Sequence, residues 1–145
     1  MFTTNKQRGV ALVEFALVVP FLLTLMLVTI EFSRAFYQYN TLTKAVRDAA
    51  RYLSVQMPGT GVEEATNLIV YGTTTPGTQP LAPGLSATHV DEPVWSVIGA
   101  APTVNVVTVR IQGYQFVPLW GTVFWVDLGM IPFPIISATM PSPLI

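Results

Sequence analysis

Between Glu14 and Glu31 the chain carries no charged side chain, and within Phe15 to Ile30 only Pro20, Thr24 and Thr29 are not strongly apolar. Counted from Val10 to Ile30 the segment has 21 residues, which as a helix extends about 31 Å and matches the ~30 Å hydrocarbon core of a bilayer. Only 10% of the chain is charged, against about a quarter in soluble globular domains, and this stretch holds much of the deficit. Glu14 interrupts it near its start. The feature points to one membrane-spanning helix, residues 10–30, ahead of a single small domain.

The nine residues before it, MFTTNKQRG, are polar, with Lys6 and Arg8 as their charges. Three readings compete. In a secretory signal peptide, Ser33-Arg34-Ala35 would be the small-x-small cleavage site, but the apolar stretch exceeds the usual h-region and contains Glu14. In an uncleaved signal anchor, Glu14 is an interfacial acid. In a prepilin-type leader, residues 1–9, Gly9 is the last residue removed and Val10 becomes the new N-terminus. Glu14-Phe15 then stand fifth and sixth after the cut. A carboxylate pushed to a helix centre costs roughly 2.5–3.5 kcal/mol on insertion scales, so it seeks a partner. A freed α-amine one turn away, or on a neighbouring subunit, supplies one. Orientation rests on the leader, because Arg34, Lys44 and Arg47 on the far side balance Lys6 and Arg8.

The helical pattern continues past the apolar run. Phe32, Ala35, Tyr39, Leu42, Val46, Ala49 and Leu53 recur at steps of three and four, a stripe widened by Phe36 and Ala50. Arg34, Gln38, Lys44, Arg47, Asp48 and Arg51 form the opposite face. The spacing predicts one helix from about Val10 to Ser54, kinked or locally melted at Pro20 and stopped by Met57-Pro58-Gly59. Residues 31–56 are thus an amphipathic continuation. Its stripe packs on the chain's own C-terminal domain, with part of it, sharing Phe32, Tyr39, Leu42, Val46 and Leu53, available to other subunits.

Residues 57–145 read as a small α+β domain. Thr60-x-x-Glu63 has the form of a capping box opening a helix over Val62–Tyr71, with Gly72 as its stop. Thr73 to Ser86 is a loop. The best strand is Val104 to Gly113, with Val94 to Ile98 as partner and further candidates at Val123 to Leu128 and Pro134 to Met140. A small antiparallel sheet leaning on the long helix follows. Tyr114, Phe116, Leu119, Trp120, Phe124, Trp125 and Phe133 make the C-terminal region aromatic. They suit a core without disulfides, or an exposed surface for a subunit or the membrane.

Little chemistry is available. Cysteine is absent, which removes disulfides, thiol catalysis and thiolate metal sites. The chain has one histidine, His89, and no G-x-S-x-G, G-x-G-x-x-G or G-x-x-x-x-G-K motif. His89, Asp91 and Glu92 read as a solvated loop rather than a metal site. No catalytic residue, metal or cofactor is expected, and no small-molecule substrate. Seven scattered Lys and Arg give no basic stripe for nucleic acid. The bond that chemistry is expected to break is the chain's own, Gly9–Val10.

Gly9 before VALVEFALVVPFLL, the Pro six residues after Glu14, the second Glu-Phe at Glu31-Phe32 and the Ala-Ala-Arg-Tyr helix end closely resemble the TadE-like proteins. These are pseudopilins or minor pilins of the tight-adherence (Tad/Flp) pilus system. The resemblance covers residues 8 to 53; Val70–Gly72, the strand around Val109 and Ser137-Ala138-Thr139-Met140 add weaker similarity. It implies a pilin-like α+β fold and a single-pass protein of the inner membrane with its C-terminal domain outside the cytoplasm. It further implies cleavage by a prepilin peptidase at Gly9–Val10 and Glu14-Phe15 as the assembly and registration residues. The implied partners are the membrane, the peptidase and other Tad pilus subunits, pseudopilins or the major Flp pilin, in a setting of adhesion and biofilm formation. The tail PSPLI lacks the charged ending expected of the family, and the chain is far longer than the major Flp pilin, which marks it as an accessory subunit. The alternative is an uncleaved membrane-anchored protein whose exported domain binds a partner outside any filament.

Overall fold

The computed structural model describes residues 4–143, so the first three residues of the expected leader lie outside the described residues. The layout is α+β: one long N-terminal helix and a small antiparallel sheet. Helix α1 runs over Thr4–Ser54, 51 residues. It begins six residues before the expected start and passes through Gly9, whose single helical penalty of about 1 kcal/mol is small against the good helix formers around it. It also runs through Pro20 without melting. Three residues short of Met57 it ends, where the Ser54 hydroxyl and the Gln56 N–H take the carbonyls of Arg51 and Leu53 at 2.8 and 3.0 Å.

Two compact units divide the chain. One joins residues up to Arg34 with Val117–Met130; the other comprises Ala35–Phe116 and the chain from Ile131 on.

In the second unit, the C-terminal part of α1 supplies the core wall. Leu42, Val46, Ala49, Ala50 and Leu53 are fully buried, packed with Ala65 and Ile69 of α2 (Val62–Tyr71) and with Ala82 and Leu85 of the loop. Helix α2 has its expected span but not its expected cap. Gly61, left-handed at φ 74°, occupies the N-cap, while the Thr60 hydroxyl bonds back to the Met57 carbonyl at 2.7 Å. Glu63 and Glu64 still favour the helix start through its dipole. At the other end Gly72 is left-handed and its N–H reaches the Leu68 carbonyl. A 3-10 turn, Ala87–His89, precedes the sheet.

The sheet has the order β1-β2-β7, all antiparallel, from β1 (Val94–Ile98), β2 (Val104–Ile111) and β7 (Ile136–Pro141). Strand β2 is central. Val107, Val109 and Ile111 point into the core, as the alternation in VNVVTVRI requires. Register is set by Val94↔Thr108 on one side and Ile111↔Ile136 on the other. Between β1 and β2, Gly99 turns at φ 91°, and a Cβ there would meet the Pro102 carbonyl oxygen at 2.7 Å. Next come β3 (Gln115–Phe116) and β6 (Ile131–Pro132), which pair with each other and flank residues 117–130. The expected strand over 123–128 is instead a tight hairpin, β4 (Thr122–Val123) with β5 (Val126–Asp127), because Phe124-Trp125 form its turn.

The aromatic residues separate into two groups. Tyr114 and Phe116 are buried, and Phe133 packs between Tyr39, Tyr114 and Phe116 with ring centroids 5.6, 5.4 and 6.4 Å away. Leu119, Trp120, Phe124 and Trp125 are exposed.

Gln38, on the face opposite the apolar stripe, is buried. Its side-chain oxygen lies 2.9 Å from the Tyr114 hydroxyl, which is also 2.9 Å from the Pro83 carbonyl. A core phenol wants polar partners, and the helix supplies one. Burial raises the Tyr114 pKa above its ordinary value of 10.0.

Two outcomes follow for stability, both measurable by urea denaturation of the full chain in detergent. Leu42→Ala, which empties a fully buried site, is expected to cost about 2–5 kcal/mol. Tyr114→Phe strands the Gln38 amide and is expected to cost about 1–3 kcal/mol. The unfolded chain releases the Tyr114 proton first as pH climbs. The wild-type contribution is therefore complete below about pH 10 and declines above it, a share of alkaline destabilisation that Tyr114→Phe lacks.

Candidate functional site: two acidic positions on the apolar helix

Residues 10–30 of α1 hold almost nothing of the protein's interior. Val10, Leu12, Val13, Phe15, Leu17 and Phe21, with the apolar residues that follow to Met26, are exposed. A helix this long and this apolar meets the length and composition needed to cross a membrane. The two threonines within it are satisfied without outside help. Thr24 Oγ1 donates to the Pro20 carbonyl and Thr29 Oγ1 to the Leu25 carbonyl, each at 2.7 Å. Such back-bonding to the preceding turn lets a hydroxyl enter an apolar medium at little cost.

Gly9 and Val10, the expected cleavage pair, are exposed on the helix. A Cβ at Gly9 would meet nothing within 4 Å, and its backbone is not left-handed. The fold does not require glycine there; alanine would make the better helix by about 1 kcal/mol. The small residue is left to serve some need other than packing.

Glu14 is exposed, with Phe15 exposed beside it. Among the described residues Glu14 makes no hydrogen bond or ion pair. Val10 precedes it by four residues, so the two lie on the same face, with Cβ atoms about 5–6 Å apart.

Glu31 is treated in the opposite way. It is only 3% exposed although it closes the apolar run. Its Oε2 takes a 2.5 Å ion pair from Arg34 Nη1, one turn on. Its Oε1 accepts the backbone N–H of Leu119 at 2.9 Å and, more weakly, that of Trp120 at 3.4 Å. The acid therefore fastens residues 117–130 to α1 within one compact unit. Sequence reasoning registered Glu31 only as the boundary of the apolar run and as part of a Glu-Phe pair. The available signal was an acid at that boundary with an arginine three residues on.

Of the packing stripe, Leu42, Val46 and Leu53 are fully buried in the protein's own core and Tyr39 is partly so. Phe32 is exposed, as are Phe36 and Tyr37. The exposed apolar surface of α1 therefore lies N-terminal to the stripe's buried part. His89 is occupied locally: Nδ1 accepts the Ser86 N–H at 3.2 Å, and the ring stands edge-on to Tyr114. Among the described residues no group of three or more His, Cys, Asp or Glu could hold a metal ion.

Residues 9–51 match the family model described as TadE-like protein. The match begins at Gly9 and covers α1 as far as Arg51, so the resemblance read from the residues holds for that segment. No curated protein and no solved structure matches the chain significantly. The TadE-like segment thus contains both acids and most of the core-forming stripe.

Removing Glu31 should free the 117–130 segment while leaving the sheet domain folded. Glu31→Ala deletes a charged hydrogen-bond acceptor worth about 1.5–3 kcal/mol, so the Leu119 amide should lose hydrogen-exchange protection by roughly 10- to 100-fold. Glu31→Gln keeps an acceptor oxygen and should lose less. Unchanged protection in Glu31→Ala would mean that other contacts hold the segment.

Proposed function

We propose that this chain is a minor pilin or pseudopilin of the Tad/Flp pilus system. In this reading residues 1–9 are a leader removed by a prepilin peptidase at Gly9–Val10, and residues 10–30 anchor the mature chain in the inner membrane. Residues 31–56 carry the helix onward, and the domain of residues 57–145 lies outside the cytoplasm. The subunit takes part in pilus assembly, and through it in adhesion and biofilm formation. It is not an enzyme.

The observation that carries the reading is the TadE-like segment starting at Gly9, with Glu14 exposed on an apolar surface and without a partner among the described residues. A carboxylate in that setting costs a few kcal/mol unless neutralised. Cleavage would create an α-amine at Val10, one helical turn away, on this subunit or presented by the next. Registration of one subunit against another then follows from electrostatics: in a low-dielectric bundle, only the offset that pairs amine and acid avoids the penalty. Neighbouring subunits would meet the exposed face of α1 between Val10 and Tyr37, because the later stripe is already filled.

Mass spectrometry of protein from the native host tests the first step. A mature chain beginning at Val10 is expected; a chain beginning at Met1 would favour an uncleaved anchor whose exported domain binds a partner outside a filament. Gly9→Leu should block processing. Glu14→Ala should be cut normally but assemble poorly, and normal piliation in that variant would remove Glu14 from the registration role. Crosslinks to other subunits should form from Phe32 or Phe36 and not from Leu42.

A further inference from the structure

The segment Val117–Met130 is not explained by a pilin role. It shares a compact unit with the apolar part of α1, and its large side chains are turned outward: Val117, Leu119, Trp120, Phe124, Trp125 and Met130 are all 42–67% exposed. We propose that this hairpin is a membrane wedge, seated among the lipids of the leaflet into which α1 emerges, with Phe124 and Trp125 at its leading edge. This rests on the reading of the apolar part of α1 as a membrane span.

Position is the first argument. Glu31 holds the hairpin at Leu119 and Trp120, and the Trp125 ring meets Phe21 edge-on with centroids 5.1 Å apart. From Glu31 back to Phe21 the helix descends about 15 Å. From Trp120 to Trp125 an extended chain covers about 17 Å. The two lengths agree, so the hairpin runs alongside α1, tip towards the middle of the apolar run. If that run lies in lipid, so does the tip.

Backbone chemistry is the second. A non-helical segment enters hydrocarbon only when its polar groups are satisfied internally. Pro118 has no N–H. The N–H groups of Leu119 and Trp120 go to Glu31, that of Leu128 to the Gly121 carbonyl at 2.8 Å, and that of Gly129 to Asp127 Oδ1 at 3.0 Å. Thr122 and Val123 pair with Asp127 and Val126.

Strain at the tip is the third. Phe124 is left-handed at φ 53°, a turn position that favours glycine or asparagine and costs an aromatic residue roughly 1–2 kcal/mol. An outlier of this kind marks a side chain held for a purpose other than folding. Phenylalanine and tryptophan suit insertion among lipids, and tryptophan also suits the interface. Asp127 is the hairpin's one charge, and it pairs with Thr122, only two residues along from Trp120. It therefore sits nearer the headgroups than the tip, where the cost of a charge falls off.

The test uses the full chain in phosphatidylcholine–phosphatidylglycerol vesicles. Trp95→Phe with Trp120→Phe leaves Trp125 as the single tryptophan of the original three. Phosphatidylcholine brominated on its acyl chains should quench Trp125 by about twofold or more, and aqueous iodide should barely reach it. A chain retaining only Trp95 should show the reverse. As a second measurement, Phe124→Cys in this cysteine-free sequence should resist a membrane-impermeant maleimide until detergent is added. A Trp125 that iodide quenches, or that neither quencher reaches because another subunit covers it, overturns the wedge. If the protein still floats with the vesicles and resists carbonate extraction, the anchor stands and only the wedge fails. If it does not float, the anchor itself is refuted.

Discussion

A carboxylate that ends an apolar helix has to be stabilised by something, and here Glu31 is stabilised by the chain's own backbone. Hydration would have been the simplest solution at a membrane border. Instead Arg34, one turn on, and the amides of Leu119 and Trp120 surround it. The contact reaches across 88 residues of sequence, and it converts a loop of exposed apolar residues into a hairpin with a fixed seat. Without that contact, residues 117–130 would have only two short strands and a strained turn to define them. A two-residue β pair is not stable by itself. The position of the hairpin thus depends on one acid more than on its own sequence.

Helix α1 serves two different environments with one continuous hydrogen-bond ladder. From Val10 to residue 30 most of its apolar side chains face outward, and the hydroxyls of Thr24 and Thr29 bond back to their own turn. From Leu42 onward the apolar residues narrow to a stripe, and that stripe is fully consumed by the sheet, α2 and the loop around Ala82 and Leu85. This division decides where other molecules can bind. A residue with no accessible surface offers nothing to a partner, so the apolar surface of α1 that remains accessible in this region is the stretch that includes Phe32, Phe36 and Tyr37.

Periodicity made much of this legible in the sequence. The long helix, the stripe that fills the core, α2 with its glycine stop, the central strand β2 and its neighbour β1 all follow from local pattern. The errors share a cause: side chains whose role depends on a distant partner. Thr60 offered a capping box, but Gly61 adopted the left-handed cap first. Gln38 falls on the face opposite the stripe, and nothing in the helix pattern announces its partner, a tyrosine 76 residues away. Residues 123–128 read as a strand because Val, Phe and Trp favour strands, whereas the chain reverses at Phe124 despite the cost. At the candidate site the spacing of Gly9, Val10 and Glu14 is what singles them out, and the structure adds that glycine is not needed at position 9 for packing. Glu31's binding of a hairpin was not readable at all.

The contrast between the two acids carries the functional argument furthest. Glu31 and Glu14 bound the same apolar run, and both would be costly in hydrocarbon. For Glu31 the protein supplies an arginine and two amides. For Glu14 the described residues supply no partner, and its neighbours Val13 and Phe15 are exposed. Among the described residues, then, one acid is met and the other is not. A carboxylate left without a partner on an apolar surface favours any association that brings it a cation. The force that could order subunits along a filament is then the same one that orders the hairpin, acting between chains instead of within one.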